Sequence, residues 1–80
     1  MEHAQGTVVI SLKGHDKDKF FVIVKSESSF VWLTDGKNRK KDNPKKKNLK
    51  HIVKTHYCIP EVESLSDKSI RKQLNRLRDK

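Results

Sequence analysis

Apolar residues fall in short runs separated by polar turns over most of the chain and change to helical spacing near its end. Thr7-Val8-Val9-Ile10-Ser11 is rich in β-branched residues and lies between Gly6 and Gly14, which predicts a first strand. After the polar turn Lys13 to Lys19, a second run spans Phe20 to Val24 and a third Phe30 to Thr34. The serine-containing turn Lys25 to Ser29 joins them as antiparallel strands, and Asp35-Gly36 closes the third with a turn dipeptide. Pro44 cannot sit in a central strand. The following stretch therefore has at most a short strand at Arg39 to Lys41, then a loop and a turn through Lys47-Asn48-Leu49. His51 to Thr55 returns as a closing strand. Past Pro60, Glu61 and Glu63, the residues Ile70, Leu74 and Leu77 recur at i, i+4 and i+7. They predict an amphipathic helix from Asp67 to Arg78, with Ser66 as N-cap and Arg76 and Arg78 in the last turn.

Strands this short and closely spaced leave no room for crossover helices, so the fold class is mainly β, a strongly bent sheet or small barrel. Alternation puts Phe20, Val22 and Val24 on one face of the second strand and Phe21 and Ile23 on the other, and both faces of so small a wall cannot be dry. Phe20, Phe21, Phe30 and Trp32 are read as core rather than base-stacking platforms. The helix stripe is only three residues wide. It docks on the sheet, meets a protein partner, or frays alone.

Composition narrows the class. Eighty residues make one small domain, and 32% hydrophobic against 36% charged residues limits the core and leaves part of the chain unpacked. A single cysteine, Cys58, cannot form an intramolecular disulfide, which points to a reducing compartment and a cytoplasmic location. Met1 to Gln5 carries no signal-peptide pattern, and the run Phe20 to Val24 is far too short for a membrane helix. His51, His56 and Cys58 fit no usual zinc spacing, and Cys58 lacks a scaffold for nucleophilic catalysis. Asp16 and Asp18 lie in a basic loop, where capping or pairing with lysines outweighs acid–base work. No Walker-type glycine loop is present. The expectation is a protein that is no enzyme, with no cofactor, metal or small-molecule substrate.

Charge changes the picture most. The chain has 19 basic and 10 acidic residues, a net +9, yet Lys37 to Lys54 alone holds nine basic side chains against Asp42. That segment is +8 and the other 62 residues sum to +1. Basic charge gathered beside a near-neutral remainder is the footprint of a polyanion-binding face, because each neutralised phosphate releases condensed counterions. The expected partner is a nucleic acid. A membrane surface is a weaker alternative, since the stretch lacks apolar side chains that insert into lipid.

The segment Gly6 to Val24, with Gly14-His15-Asp16-Lys17-Asp18-Lys19 between its two strands, resembles a KOW motif. Phe30-Val31-Trp32-Leu33-Thr34-Asp35-Gly36, then Arg39, then Pro44-Lys45-Lys46-Lys47-Asn48-Leu49-Lys50-His51-Ile52, is similar to bacterial KOW-domain RNA-binding proteins related to the fourteen-e class of large-subunit ribosomal proteins. The resemblance covers about residues 4 to 56. It implies an SH3-like (KOW) β-barrel of about five strands, with ribosomal RNA and the ribosome as partners. Residues 4–58 would form the RNA-binding barrel and 59–80 a linker and C-terminal helix. Asp18 stands where the family usually has glycine, and aspartate tolerates a left-handed backbone better than most residues.

Within that frame Lys40, Lys41, Lys45, Lys46, Lys47 and Lys50 are expected on phosphates, which sets affinity without reading bases. Arg39 has a planar fork able to grip a phosphate or stack on a base. Lys13, His15 and Lys17 of the first loop are RNA candidates beside the simpler reading of an exposed turn. Asn48 and His51 match family positions for RNA contact, against local capping and plain exposure. Gly6, Gly14 and Gly36 are assigned to turns as backbone requirements. Two other functions stay open: a non-ribosomal nucleic-acid adaptor, and a protein-interaction module in which the lysines only aid solubility.

Overall fold

β-branched and aromatic runs pair in sequence order to build the sheet. The computed structural model describes residues 4–78, so most of the Met1 to Gln5 segment lies outside the described residues. Strands β1 (Thr7–Ser11), β2 (Phe20–Glu27), β3 (Phe30–Thr34), β4 (Lys45–Asn48) and β5 (Ile52–Cys58) form one antiparallel sheet in the order β4-β3-β2-β1-β5. Helix α1 (Asp67–Arg78) follows, and short 3-10 turns lie at Leu49–His51 and Val62–Ser64. The fold is mainly β with one C-terminal helix. Among the described residues no helix is long and apolar enough to cross a membrane.

The elements depart from expectation at the end of β2, which runs on to Glu27 through most of the turn predicted at Lys25 to Ser29, and in the basic stretch. No strand forms at Arg39 to Lys41, because local turn bonds consume that backbone. The Asp35 carboxylate accepts the amides of Lys37 and Arg39 at 2.9 Å each, and the Arg39 carbonyl accepts those of Asp35 and Gly36. The fourth strand instead starts directly after Pro44, which precedes the ladder rather than interrupting it, and pairs with β3 through Trp32↔Lys46. The turn predicted at Lys47 to Leu49 therefore comes later, as the 3-10 turn capped by Asn48. The closing strand starts one residue late, at Ile52, and runs on to Cys58. Its register against β1 shifts between Thr7 and Val9. Thr55 supports this irregularity, donating to the Val8 carbonyl at 2.7 Å and accepting from the Tyr57 amide at 3.1 Å.

Two cores lie on opposite faces of the sheet, correcting the expectation of one dry face. Phe21 and Ile23 join Val9, Val31, Leu33 and Ile52 on the inner side. Val8 and Val22 join Ile59, Val62, Ile70 and Leu74 on the outer side. The period of 2 sorts them as predicted, but α1 supplies a second apolar layer. Ile70 and Leu74 of its stripe are buried and Leu77 packs at the margin, so the helix docks on its own sheet. Ser66 caps it, its hydroxyl accepting the Ser69 amide at 3.2 Å. The β3–β4 loop meets the helix start at Gly36, whose φ is +73°. A Cβ there would collide with the Asp67 carbonyl, so only glycine permits this approach.

Candidate nucleic-acid interface

Alternation splits the three consecutive lysines of β4. Lys45 and Lys47 point one way and Lys46 the other, since successive side chains of a strand face opposite sides. The inward pair meets Asp16, buried in the β1–β2 loop, which Gly14 (φ +88°) and Asp18 (φ +70°) help to shape. Asp16 Oδ1 accepts from the Ser11 hydroxyl at 2.8 Å and from Lys47 Nζ at 3.0 Å, while Oδ2 accepts from Lys45 Nζ at 2.9 Å. Lys47 Nζ also donates to the Lys13 carbonyl at 2.8 Å, and Lys47 is only 8% exposed. Burial alone would push the Asp16 carboxyl up. Hydrogen bonds from Lys45, Lys47 and Ser11 and the charge of Lys47 outweigh it, and hold the group well below the usual carboxylate range. Lys45 and Lys47 thus spend charge on the fold itself, tying the first loop to an edge strand.

The outward side carries a different chemistry. A register shift between Ile23 and Lys25 leaves Val24 in the outer core and brings Lys25 opposite Trp32. Lys25 Nζ stands 4.8 Å from the centre of the Trp32 ring system. Lys46 Nζ lies 4.4 Å from the Phe30 ring centre and 5.6 Å from that of Trp32. Attraction between an ammonium and the negative ring face holds these pairs. Phe30 is 37% exposed and Trp32 half-buried, and neither belongs to a core cluster. The expectation of four core aromatics is corrected for these two: Val31 and Leu33 take the inner side of β3, and α1 does not cover its outer side. The Phe-Val-Trp-Leu alternation separates the two sides of β3 but does not say which of them the helix leaves open.

The remaining candidates divide by what already engages them. Lys41 belongs to the fold: its amide donates to Asp67 Oδ1 at 2.8 Å and its ammonium to the carbonyls of Glu63 and Leu65. Asn48 caps the 3-10 turn, accepting the Lys50 amide at 3.0 Å, and the His51 carbonyl accepts the Leu12 amide at 2.8 Å. Lys13, His15, Lys17, Lys40 and Lys50 have exposed side chains. Arg39 is half-buried beside His15, Lys45 and Phe21 on the wall of a 260 Å³ hollow. Among the described residues the ion pairs are Lys25–Glu27 at 3.5 Å and the two on Asp16. Lys40, Lys46, Lys50 and Lys54 have no acidic partner there. Cys58 is exposed, and no three His, Cys, Asp or Glu side chains gather as a metal site among the described residues.

This arrangement can hold an anion at several points and offer flat rings to another flat ring. Compared with known proteins, the chain matches no family model and no curated protein.

Proposed function

We propose that this protein binds structured RNA through the outward side of β3 and β4 and the loops beside it, as a binding module rather than a catalyst. One observation carries the reading: Lys46, which has no acidic partner among the described residues, adjoins the exposed or half-exposed rings of Phe30 and Trp32 on one uncovered sheet face. Lysines neutralise phosphates and release counterions, while Trp32 and Phe30 accept an unpaired base by stacking. Lys46 can leave the rings for a phosphate as the base arrives, exchanging one contact for two.

The chain order supports an SH3-like reading of the sheet. Four strands pair in succession, a 3-10 turn joins β4 to β5, and β5 returns beside β1. Joined to the KOW-like sequence of the first two strands, this makes large-subunit ribosomal RNA the target we favour. Shape and phosphate readout dominate, because few side chains on this face suit base edges.

Crosslinking to RNA in the protein's own cells, followed by sequencing of the attached fragments, tests this. Fragments should concentrate at one large-subunit site and disappear in a triple variant Arg39→Glu, Lys46→Glu, Lys50→Glu that keeps its thermal melt. Scattered or messenger-derived fragments would assign a non-ribosomal adaptor. No fragments would overturn RNA binding altogether.

A further inference from the structure

The helix, which the resemblance leaves outside the RNA-binding unit, forms one wall of a basic trough. The 260 Å³ hollow beside Arg39 shares Lys19, Asp35 and Asn38 with a second of 340 Å³ that Arg71 and Arg78 close from α1. The two adjoin at these three residues, the larger on the Phe20 side of the sheet against the helix and the smaller on the Phe21 side. Each is near the lower end of ligand-sized pockets, roughly 300 Å³.

Charge and surface chemistry select the occupant. The larger hollow has Lys19, Lys37, Arg71 and Arg78 against one carboxylate, Asp35. Asp35 already accepts two backbone amides and serves the turn. In the smaller hollow Asp16 is neutralised by Lys45 and Lys47. Each hollow is therefore net positive, the one against the helix most of all. Arg71 and Arg78 are seven residues apart, on one side of the helix and about 10 Å apart along its axis. Each hollow also has an aromatic wall, Phe20 in one and Phe21 in the other, and Asn38 at the junction offers both a donor and an acceptor.

We infer that this trough binds a single-stranded RNA segment, such as a loop or bulge, with Arg71 and Arg78 of α1 on its phosphates and an unstacked base against Phe20. Hollows of this size take unstacked nucleotides and not a stacked duplex. The inference rests on the RNA-binding reading and adds the helix to the interface.

Two charge-matched pairs of variants separate location from net charge. Arg71→Glu with Arg78→Glu alters the trough. Lys72→Glu with Arg76→Glu makes the same change in charge on exposed helix positions outside it. Affinity of the full chain for an RNA hairpin with a single-stranded loop is measured over a range of salt. The trough pair should lose about tenfold or more in affinity beyond the control pair, and its salt slope should fall by about 2 more. A fully paired duplex of the same length should show no such difference. Equal losses in the two pairs would overturn the inference while leaving RNA binding intact. Absence of binding by the unaltered chain would overturn the RNA reading and this one together. Circular dichroism checks the helix. If the glutamate pair unfolds, the Arg71→Gln, Arg78→Gln pair against Lys72→Gln, Arg76→Gln gives the same comparison with smaller effects.

Discussion

The outer face of the sheet has two halves with opposite fates. On β1 and β2 it presents Val8, Val22 and Phe20, and α1 covers them with Ile70 and Leu74. On β3 and β4 it presents Phe30, Trp32 and Lys46, and ammonium groups stand over the rings. The boundary is the irregularity in β2, where Val24 goes to the buried half and Lys25 to the open one. Strand pairing alone does not make a sheet face dry. A second apolar layer does, and one twelve-residue helix covers only part of this sheet.

The comparison is broken most severely at its dry half. Ile70 is fully buried between helix and sheet, and Ile70→Ala should cost about 2–5 kcal/mol through lost burial and the cavity left behind. Denaturant unfolding reads this directly. An unchanged midpoint would mean that the helix adds nothing to the fold.

Next comes the ion cluster beneath the open half. Asp16→Asn leaves Lys47 buried without its carboxylate and should cost on the order of 3 kcal/mol. The same group makes stability depend on pH. Its folded pKa lies below the unfolded one, so its contribution is complete above roughly pH 4 and is lost progressively as pH falls below that. Melts from neutral to strongly acid pH should show a decline in the parent that is shallower in Asp16→Asn. Parallel curves would remove Asp16 from the account of acid stability.

The smallest effects on the fold, and the sharpest on function, belong to the open half. Trp32→Ala should weaken RNA binding by about 1–3 kcal/mol through lost stacking. Lys46→Gln should lower the salt slope by about 1 while leaving the thermal melt unchanged. Trp32 is the only tryptophan, so its fluorescence should be quenched as RNA is added to the unaltered chain. A constant signal at saturating RNA would move the contact off this face.

Legibility followed the chemistry of each segment. The spacing of Ile70, Leu74 and Leu77, with Ser66 ahead of them, located the helix at Asp67 to Arg78, the limits found in the fold. The first and third strands also match, because Val-Val-Ile and Phe-Val-Trp-Leu are local signals of extended, half-buried backbone. β4 was illegible. Lys45-Lys46-Lys47-Asn48 has no apolar period, and it becomes a strand only through the ladder that β3 offers. The wet and dry sides of Phe30 and Trp32 were equally hidden, since both depend on how far a distant helix reaches.

By itself the sequence determined the first and third strands, the helix and the concentration of basic charge, because side-chain spacing, backbone sterics and net charge are properties of neighbours along the chain. Tertiary structure decided which lysines serve the fold and which face outward. Lys45 and Lys47 became partners of Asp16 only when a loop some thirty residues earlier folded over their strand. Lys46, between them, kept the opposite side. Burial of a charge is settled by what packs against it, and that information lies in contacts between segments far apart in sequence.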